Sequence, residues 1–264
     1  MTRHRVLAAV YWMVLAAFAL PLALIALTSF AMGDLVGFPL GALSLHWYRV
    51  ALSDPDYRHA FALSVALALG SATLAVVAGC WIGLAAASLR CRWAELTLMA
   101  GALLPLVTPG IIHAVALRIA IQMIGLDPGA TAILLGHAIH ATPYAAIMVR
   151  ARRATLPAEQ VEAARVFGAG SFAIMFYVIV PWLRPALLGA GGLAALTSFD
   201  DFIRSFFLGG YDPTLPVLIF GRLRSGLSPE INAVSTLVLA IMGVACVIAA
   251  QAGKFRTSRV DLGI

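Results

Sequence analysis

The chain has 264 residues, of which 62% are hydrophobic and only 11% charged, and its net charge is +6. A soluble domain carries about 25% charged residues, so this composition excludes an ordinary water-soluble fold and favours a protein with several membrane spans. Three scattered cysteines exclude a disulfide framework, and the excess of Arg and Lys is typical of cytoplasmic loops rather than of nucleic-acid binding.

Six apolar stretches are long enough to cross the hydrocarbon core, which takes about 20 residues of helix. They cover about 6–31, 60–88, 96–121, 131–149, 183–207 and 231–251. The first follows the basic tail MTRHR, but its uncharged run is longer than the apolar region of a signal peptide, so we interpret it as a retained span. We predict an all-α membrane protein in which residues 1–264 form a single transmembrane domain.

The basic residues predict the orientation of these spans. With the N-terminus inside, twelve of the 18 Arg and Lys residues lie on the cytoplasmic side, and both termini are cytoplasmic. The outer loop 32–59 is then expected to hold turns and an interfacial segment. The outer loop 208–230 contains the apolar patch LPVLIFGRL, which is too short to span and predicts a short interfacial or re-entrant helix.

The third predicted span contains LLPLVTPGIIHA, in which Pro105 and Pro109 stand four residues apart. Each proline removes an intrahelical hydrogen bond, so the pattern predicts either an ordinary kink or a break that lines a pathway. In the fourth span, His137 and His140 join His113 as possible ligands, but they are too few and too irregularly spaced for a metal site. We predict hydrogen bonding between helices here, and no metal.

No catalytic constellation is present in the sequence. It lacks the GxxxxGK[ST] phosphate loop and the HExxH motif, and no Ser/His/Asp set stands in a plausible nucleophile turn. We therefore predict a protein that is not an enzyme and that carries no cofactor of its own.

The inner loop 150–182 is the largest cytoplasmic segment. It predicts a helix with Pro157 in its first turn and Glu159 and Glu162 near its start, ended by Gly168 and Gly170. A second amphipathic stretch, SFAIMFYVIV, follows. The pair of helices either presents a docking surface to a soluble partner or packs on its own bundle.

The spacing in this loop resembles the EAA loop of ABC importer permeases. Glu162, Ala163, Ala164 and Gly168 are followed by nine residues and then by VIVP, which ends at Pro181. Valines replace the Ile and Leu that usually precede this proline. The resemblance implies a six-span permease of type I architecture whose loop 150–182 couples the membrane helices to a separate ATPase subunit.

The remaining motifs narrow the resemblance to the second permease of spermidine/putrescine importers. They are the GHAIHATPY stretch, SFDD, and TLPVLIFGRLRSGLSPEINAVSTL, and the similarity covers about residues 60–250. It implies a non-identical partner permease, an ATPase dimer that binds ATP and Mg, an extracytoplasmic substrate-binding protein, and a place in the bacterial inner membrane. Related permeases move phosphonates or organic acids, so these substrates stay open as alternatives.

The stretch SFDDF places Asp200 and Asp201 after the fifteen uncharged residues 185–199. Along a continuous fifth span, Asp200 would lie about 25 Å from its start, in the outer third. A carboxylate at the bilayer centre costs about 2.5–3.5 kcal/mol, so at least one aspartate is expected to face water or a partner. Arg204 is four residues from one and three from the other, and either could pair with it.

Two roles are open for this aspartate pair. An Asp–Arg pair could hold the bundle together, or one aspartate could face the pathway and attract a cationic substrate beside aromatic rings. We predict a substrate-pathway set made of Asp200, Asp201, Phe199 and Phe202. A secondary transporter would predict internal repeats, which we do not find, and the histidines specify no chemistry for an intramembrane enzyme.

Overall fold

The structure is a computed structural model that describes residues 2–31, 43–226 and 228–260, and its regular elements are helical. In chain order the helices are α1 (Thr2–Thr28), α2 (His46–Ser53), α3 (Pro55–Ser88), α4 (Arg92–Val107), α5 (Gly110–Met123), α6 (Ala130–Ala154), α7 (Ala158–Val166), α8 (Ser171–Ile174), a π-helical turn (Met175–Ile179), α9 (Val180–Phe199), α10 (Phe202–Leu208), α11 (Leu215–Ser225) and α12 (Pro229–Val260). The predicted all-α fold is confirmed. Part of the predicted outer loop, 32–42, lies outside the described residues.

Within the described residues, four helical runs are long and apolar enough to cross a membrane. They are His4–Thr28, Pro55–Ser88, Ala130–Ala154 and Ser171–Phe199, and α4 with α5 adds a fifth if the pair counts as one broken span. The sixth predicted span lies in α12. Its apolar stretch Pro229–Val244 is shorter than these runs, so the count of six stays a prediction.

The predicted third span is not one continuous helix. It is divided into α4 and α5, which are bent by 106° at the residues between them. Thr108 is extended (φ −72°, ψ 130°), as expected for a residue before proline, and Pro109 caps α5 with φ −53° and ψ 134°. Because Pro109 has no N–H, the carbonyl of Pro105 loses its helical donor, and the ring of His140 on α6 interacts with that carbonyl instead.

Small residues bring α3 and α6 together. A Cβ added at Gly79 would lie 2.5 Å from the Cβ of Ala145, and one added at Gly83 would lie 2.7 Å from the carbonyl oxygen of Ala146. This is the small-xxx-small spacing by which membrane helices approach closely. It gives the bundle of α3, α6 and α9 an alanine-rich centre, which includes Ala75, Ala141 and Ala194.

The fifth predicted span begins earlier than expected. The helical run starts at Ser171 and reaches Phe199 without a break, with a π-helical turn at Met175–Ile179. In that turn the N–H of Val180 donates to the carbonyl of Met175, five residues back. Pro181 explains this π-helical turn, because proline has no backbone N–H to donate to the preceding turn and its ring crowds that turn. The stretch SFAIMFYVIV is therefore the first part of the spanning helix.

The contacts divide the chain into two compact units, Met1–Arg58 with Ile219–Ile264, and His59–Leu218. In the first unit Asn232 of α12 donates to the hydroxyl of Thr28 at the end of α1 (3.0 Å). Arg222 pairs with Asp54 (3.0 Å) and Asp56 (3.2 Å). The second unit holds the predicted pathway and coupling residues.

The apolar patch of the last outer loop forms α11, as predicted. Its first residue, Leu215, donates its backbone N–H to the hydroxyl of Ser64 on α3 (2.8 Å). A buried serine thus satisfies one of the free donors at this helix start.

Candidate functional site

The SFDDF stretch interrupts the helix at its two aspartates. Helix α9 ends at Phe199, Asp200 caps it with φ −87° and ψ 0°, and Asp201 is extended with ψ 92° before α10 begins. The continuous helix predicted through 183–207 is therefore wrong. The reason is local, because the carboxylate Oδ1 of Asp201 accepts the backbone N–H of Arg204 (3.0 Å), which is the N-cap bond that Asp favours at a new helix start.

The structure resolves which aspartate pairs with Arg204. The Nε of Arg204 lies 2.6 Å from Oδ2 of Asp201, and the two side chains are only 9% and 6% exposed. The same carboxylate thus caps α10 with one oxygen and binds the guanidinium with the other. Breaking a buried pair of this kind costs about 3–5 kcal/mol, because it leaves one charge uncompensated.

Asp200 has a different environment from its neighbour. Its residue is exposed, whereas Asp201 is buried at 9% relative exposure. Its backbone N–H closes the end of α9 on the carbonyl of Leu196 (3.2 Å), which leaves the carboxylate outside the packed bundle. The two adjacent aspartates are therefore a structural residue and an exposed one.

The aromatic residues on either side of the pair are also unlike each other. Phe199 is buried and meets Phe61 of α3 edge to face, with ring centroids 5.9 Å apart. Phe202 is half-buried and lies 5.5 Å from the ring of Phe206, which is 50% exposed. Phe199 therefore packs α9 on α3, and Phe202 lies nearer the surface on α10.

His137 lies under the helix break and contacts both sides of it. Its Nδ1 is 2.7 Å from the hydroxyl of Ser198 in α9, and its Nε2 is 3.2 Å from the hydroxyl of Ser205 in α10. Nε2 also lies 3.8 Å from Oδ2 of Asp201. The predicted hydrogen bonding between helices is confirmed for this histidine.

Ser71, which sequence reasoning missed, extends this network to α3. Its hydroxyl donates to that of Ser198 at 2.9 Å, and both serines are buried. A signal was available, because Ser71 is a small polar residue within an uncharged span and polar residues there find partners across helices. The identity of the partner depends on how three helices pack, which the sequence does not encode locally.

Arg118 on α5 binds the other end of α10. Its guanidinium Nη1 donates to the carbonyl of Phe207 at 3.1 Å, where the last turn of α10 has free acceptors. Arg118 and Arg204 thus both support this seven-residue helix.

His113 and His140, the other two histidines considered as ligands, lie beside the α4–α5 break. The rings of His113 and His140 are 6.0 Å apart, and Tyr144 meets His140 at 6.1 Å. In the part of the chain that the structure describes, no cluster of three or more His, Cys, Asp or Glu side chains is arranged to hold a metal ion.

The predicted coupling loop forms α7 with a well-defined end. Pro157 is the N-cap and so lies just before the first turn, in which it was predicted, and Glu159 lies in that turn. Gly168 has φ +81°, and its N–H donates to the carbonyl of Arg165 (2.9 Å). The next N–H, of Ala169, reaches back to Ala164 (2.9 Å), which completes a Schellman motif. Gly168 ends the helix as predicted.

The EAA residues face different surroundings. Glu162 and Ala163 are exposed, while Ala164 packs on the core formed by Val149, Leu156, Val161, Ile174, Ile179 and Leu183. Val166 and Phe167 project into the open with exposures of 85% and 90%. Neither side chain is therefore packed against the described residues of this chain.

Arg152 of α6 and Trp182 of α9 join the two helices that flank this segment. The Nε of Arg152 donates to the carbonyl of Trp182 (3.1 Å), and the indole N–H of Trp182 donates to the carbonyl of Arg152 (3.2 Å). The guanidinium also lies over the indole, 4.4 Å from its centroid. Next to this clamp, Arg150 pairs with Glu95 of α4.

These features define a helical membrane permease with the fold of ABC importers. Residues 75–255 match the family model described as "Binding-protein-dependent transport system inner membrane component", and the chain belongs to this family. The protein is therefore a multi-pass inner-membrane component of a binding-protein-dependent transport system.

Similar proteins include two polyamine permeases. The chain is 29% identical over 221 residues to the spermidine/putrescine transport system permease protein PotC of Haemophilus influenzae, covering 83% of this chain and 84% of that one. It is 31% identical over 235 residues to the putrescine transport system permease protein PotI of Escherichia coli K12, covering 85% and 82%.

Solved structures share the fold at lower identity. A bacterial ABC transporter that imports the acidic polysaccharide alginate superposes with a TM-score of 0.73 at 14% identity, over 96% of both chains. An inward-facing MetNI methionine ABC transporter gives a TM-score of 0.60 at 22% identity, over 75% of this chain and 92% of that chain.

Proposed function

We propose that this chain is one of two non-identical permease subunits of an ATP-driven importer of polyamines such as putrescine and spermidine. The observation that carries the proposal is the identity of 29–31% to polyamine permeases over 83–85% of the chain. ATP and Mg bind to a separate ATPase dimer, and an extracytoplasmic binding protein delivers the substrate. Both termini lie in the cytoplasm, and residues 1–264 act as one transmembrane domain.

Asp200 is the residue of the predicted pathway set that we assign to the substrate. A polyamine is a flexible polycation, and an exposed carboxylate gives its ammonium groups a charge-assisted partner. Asp201 is already neutralised by Arg204, 2.6 Å away, so it is poorly suited to bind a passing cation. A single exposed carboxylate also binds weakly enough to release what it attracts.

The exposed surface of α7 is the part that we assign to the ATPase. Glu162 and Ala163 are exposed there, and Val166 and Phe167 offer apolar side chains to a cleft. Val161 and Ala164 of α7 share a core with Ile179 and Leu183, near the base of α9, so a push on α7 is passed to a membrane helix. The Arg152–Trp182 clamp ties the same base, which includes Pro181, to α6.

ATP-dependent uptake in proteoliposomes tests the proposed function. The chain is reconstituted with its partner permease, ATPase and binding protein, and uptake of labelled putrescine is measured against a phosphonate and an organic acid. Putrescine uptake that stops when the ATPase is omitted supports the proposal. Uptake of an anionic solute in place of putrescine would refute the polyamine assignment and favour the alternative substrates.

Asp200→Asn tests the substrate role within that assay. A hydrogen bond to a charged group is worth about 1.5 kcal/mol at the lower end of its range, which suits an exposed contact, so putrescine uptake should fall about tenfold with assembly unchanged. Asp212→Asn is the matched control, because Asp212 is another exposed acid in the following loop. Equal losses of assembly and uptake in Asp200→Asn would instead mean that this carboxylate is structural.

A further inference from the structure

The helix break at Asp200 and Asp201 is not held in shape by its own backbone alone. The N–H groups of these residues bond back to Leu196 (3.2 Å) and Ser198 (3.3 Å), within α9, and α10 begins a new set of bonds. With seven residues, α10 is too short to be stable by itself. Its orientation relative to α9 must therefore be fixed by side chains from neighbouring helices.

One buried ring contacts both helices at once. His137 is 2% exposed, and its two nitrogens bind Ser198, the second-last residue of α9, and Ser205, the fourth residue of α10. The imidazole is rigid, so the separation of its nitrogens fixes the separation of the two hydroxyls. It acts as a strut across the break.

Each hydrogen bond of this network can have one donor and one acceptor, from Ser71 through Ser198 and His137 to Ser205. The hydroxyl of Ser71 donates to that of Ser198, which can then donate its own proton to Nδ1 of His137. The proton of the neutral ring then sits on Nε2, where it faces the hydroxyl of Ser205 and, at 3.8 Å, the carboxylate of Asp201. The carboxylate favours this tautomer.

We propose that His137 is a positioning residue that sets the angle between α9 and α10 and thereby the direction in which Asp200 points. It does not touch the substrate. Its effect on transport rests on the proposed function of Asp200, but its effect on the helix angle does not. His137 is thus expected to matter for uptake although it lies buried beneath the exposed site.

Substitution of His137 by Asn or Gln tests its two hydrogen bonds, to Ser198 and to Ser205, separately. His137→Asn places a polar atom near the position of Nδ1 and should keep the hydrogen bond to Ser198. His137→Gln places a polar atom near the position of Nε2 and should keep the hydrogen bond to Ser205. His137→Ala loses both. His140→Ala is the matched control for the α9–α10 angle, since His140 is on the same helix but lies beside the α4–α5 break, near Tyr144, His113 and the carbonyl of Pro105.

The helix angle is measured by pulsed electron paramagnetic resonance on the assembled transporter. Spin labels replace Leu188 of α9 and Phe206 of α10, both at least half exposed, in a chain whose cysteines are substituted. The unsubstituted His137 and His140→Ala should give one narrow distance distribution, and His137→Ala a broad one. His137→Asn and His137→Gln should each be intermediate. An unchanged distribution in all three His137 variants would overturn the proposal.

Uptake supplies the second readout, through a double-mutant cycle with Asp200. His137→Ala should lower putrescine uptake about tenfold in the native background and by less than about threefold on top of Asp200→Asn, because residues that act through one another are not additive. Additive losses would show that His137 does not act through Asp200. If putrescine is not transported at all, the proposed substrate fails, and the distance distributions still decide whether His137 sets the angle.

Discussion

Gly168 offers the sharpest test of the coupling segment. A side chain at this position would strain the backbone without meeting a neighbouring atom, so the effect of backbone strain can be measured by itself. At φ +81° it occupies the left-handed region, yet a Cβ added there would meet nothing within 4 Å. Gly170, two residues on, is equally open but has φ −70° and ψ 166°. Alanine at the two positions therefore differs only in backbone strain.

The magnitude follows from that difference. An L-residue in the left-handed conformation costs about 1–2 kcal/mol, and the stiffer unfolded chain returns about 0.4–1 kcal/mol. The net loss for Gly168→Ala is about 1 kcal/mol, which lowers the population of the capped end of α7 about fivefold. Gly168→Asn should be milder, because Asn tolerates this conformation, and Gly168→Val should be worse.

The assay is stimulation of ATP hydrolysis by the loaded binding protein, measured with uptake in the same proteoliposomes. Stimulated hydrolysis and uptake should fall in the order glycine, asparagine, alanine, valine at position 168, while Gly170→Ala stays near the native values. Full stimulation in Gly168→Val would refute the coupling role of α7. Equal effects of alanine at Gly168 and Gly170 would refute the backbone reasoning.

Three further predictions concern the packing of the membrane helices. Gly79→Ala should destabilise the chain by about 1–3 kcal/mol, because its Cβ would lie 2.5 Å from a side-chain carbon of α6. Thermal unfolding in detergent should show a lower unfolding temperature for this variant than for Gly101→Ala, whose added Cβ meets open space. Arg204→Met should prevent assembly, seen by size-exclusion chromatography, and adding Asp201→Asn should restore part of it; a double variant no better than the single one would contradict the buried pair. Trp182→Phe removes the indole hydrogen bond and should lower the free energy of unfolding by about 1 kcal/mol, and Trp182→Ala should lower it further. Equal unfolding temperatures for the two variants would argue against the indole clamp.

A local sequence signal predicted the end of α7 well. Gly168 ends α7 because only glycine readily adopts the conformation that closes a Schellman motif, and this requirement is visible in one residue. Pro105 and Pro109 likewise predicted a disturbance in the third span. The size of the bend, 106°, did not follow, since it depends on how α4 packs on α6 and α5 on α10, which are distant in the sequence.

The break at Asp200 and Asp201 was missed although its signal was present. The uncharged run before it favoured a continuous span, and the aspartates were treated as charges to be neutralised rather than as capping residues. Asp is among the preferred N-cap residues, and Asp201 uses one oxygen for the cap and the other for Arg204. Its position three residues before Arg204 suited both tasks. The partners of Ser198 and Ser205 could not be predicted, because His137 lies more than sixty residues away.

The two proposed sites lie at opposite ends of one helical run. Ser171–Phe199 is continuous for 29 residues, about 43 Å at the rise of an α-helix. Its first turns follow the exposed surface of α7, and its last residue precedes Asp200. Since such a run is stiff, a displacement at its Ser171 end would be carried to the break, where Ser198 contacts His137 and α10 begins. We infer that substitutions at His137 and at Gly168 interrupt the same transmission at its two ends, so their effects on stimulated hydrolysis should be less than additive.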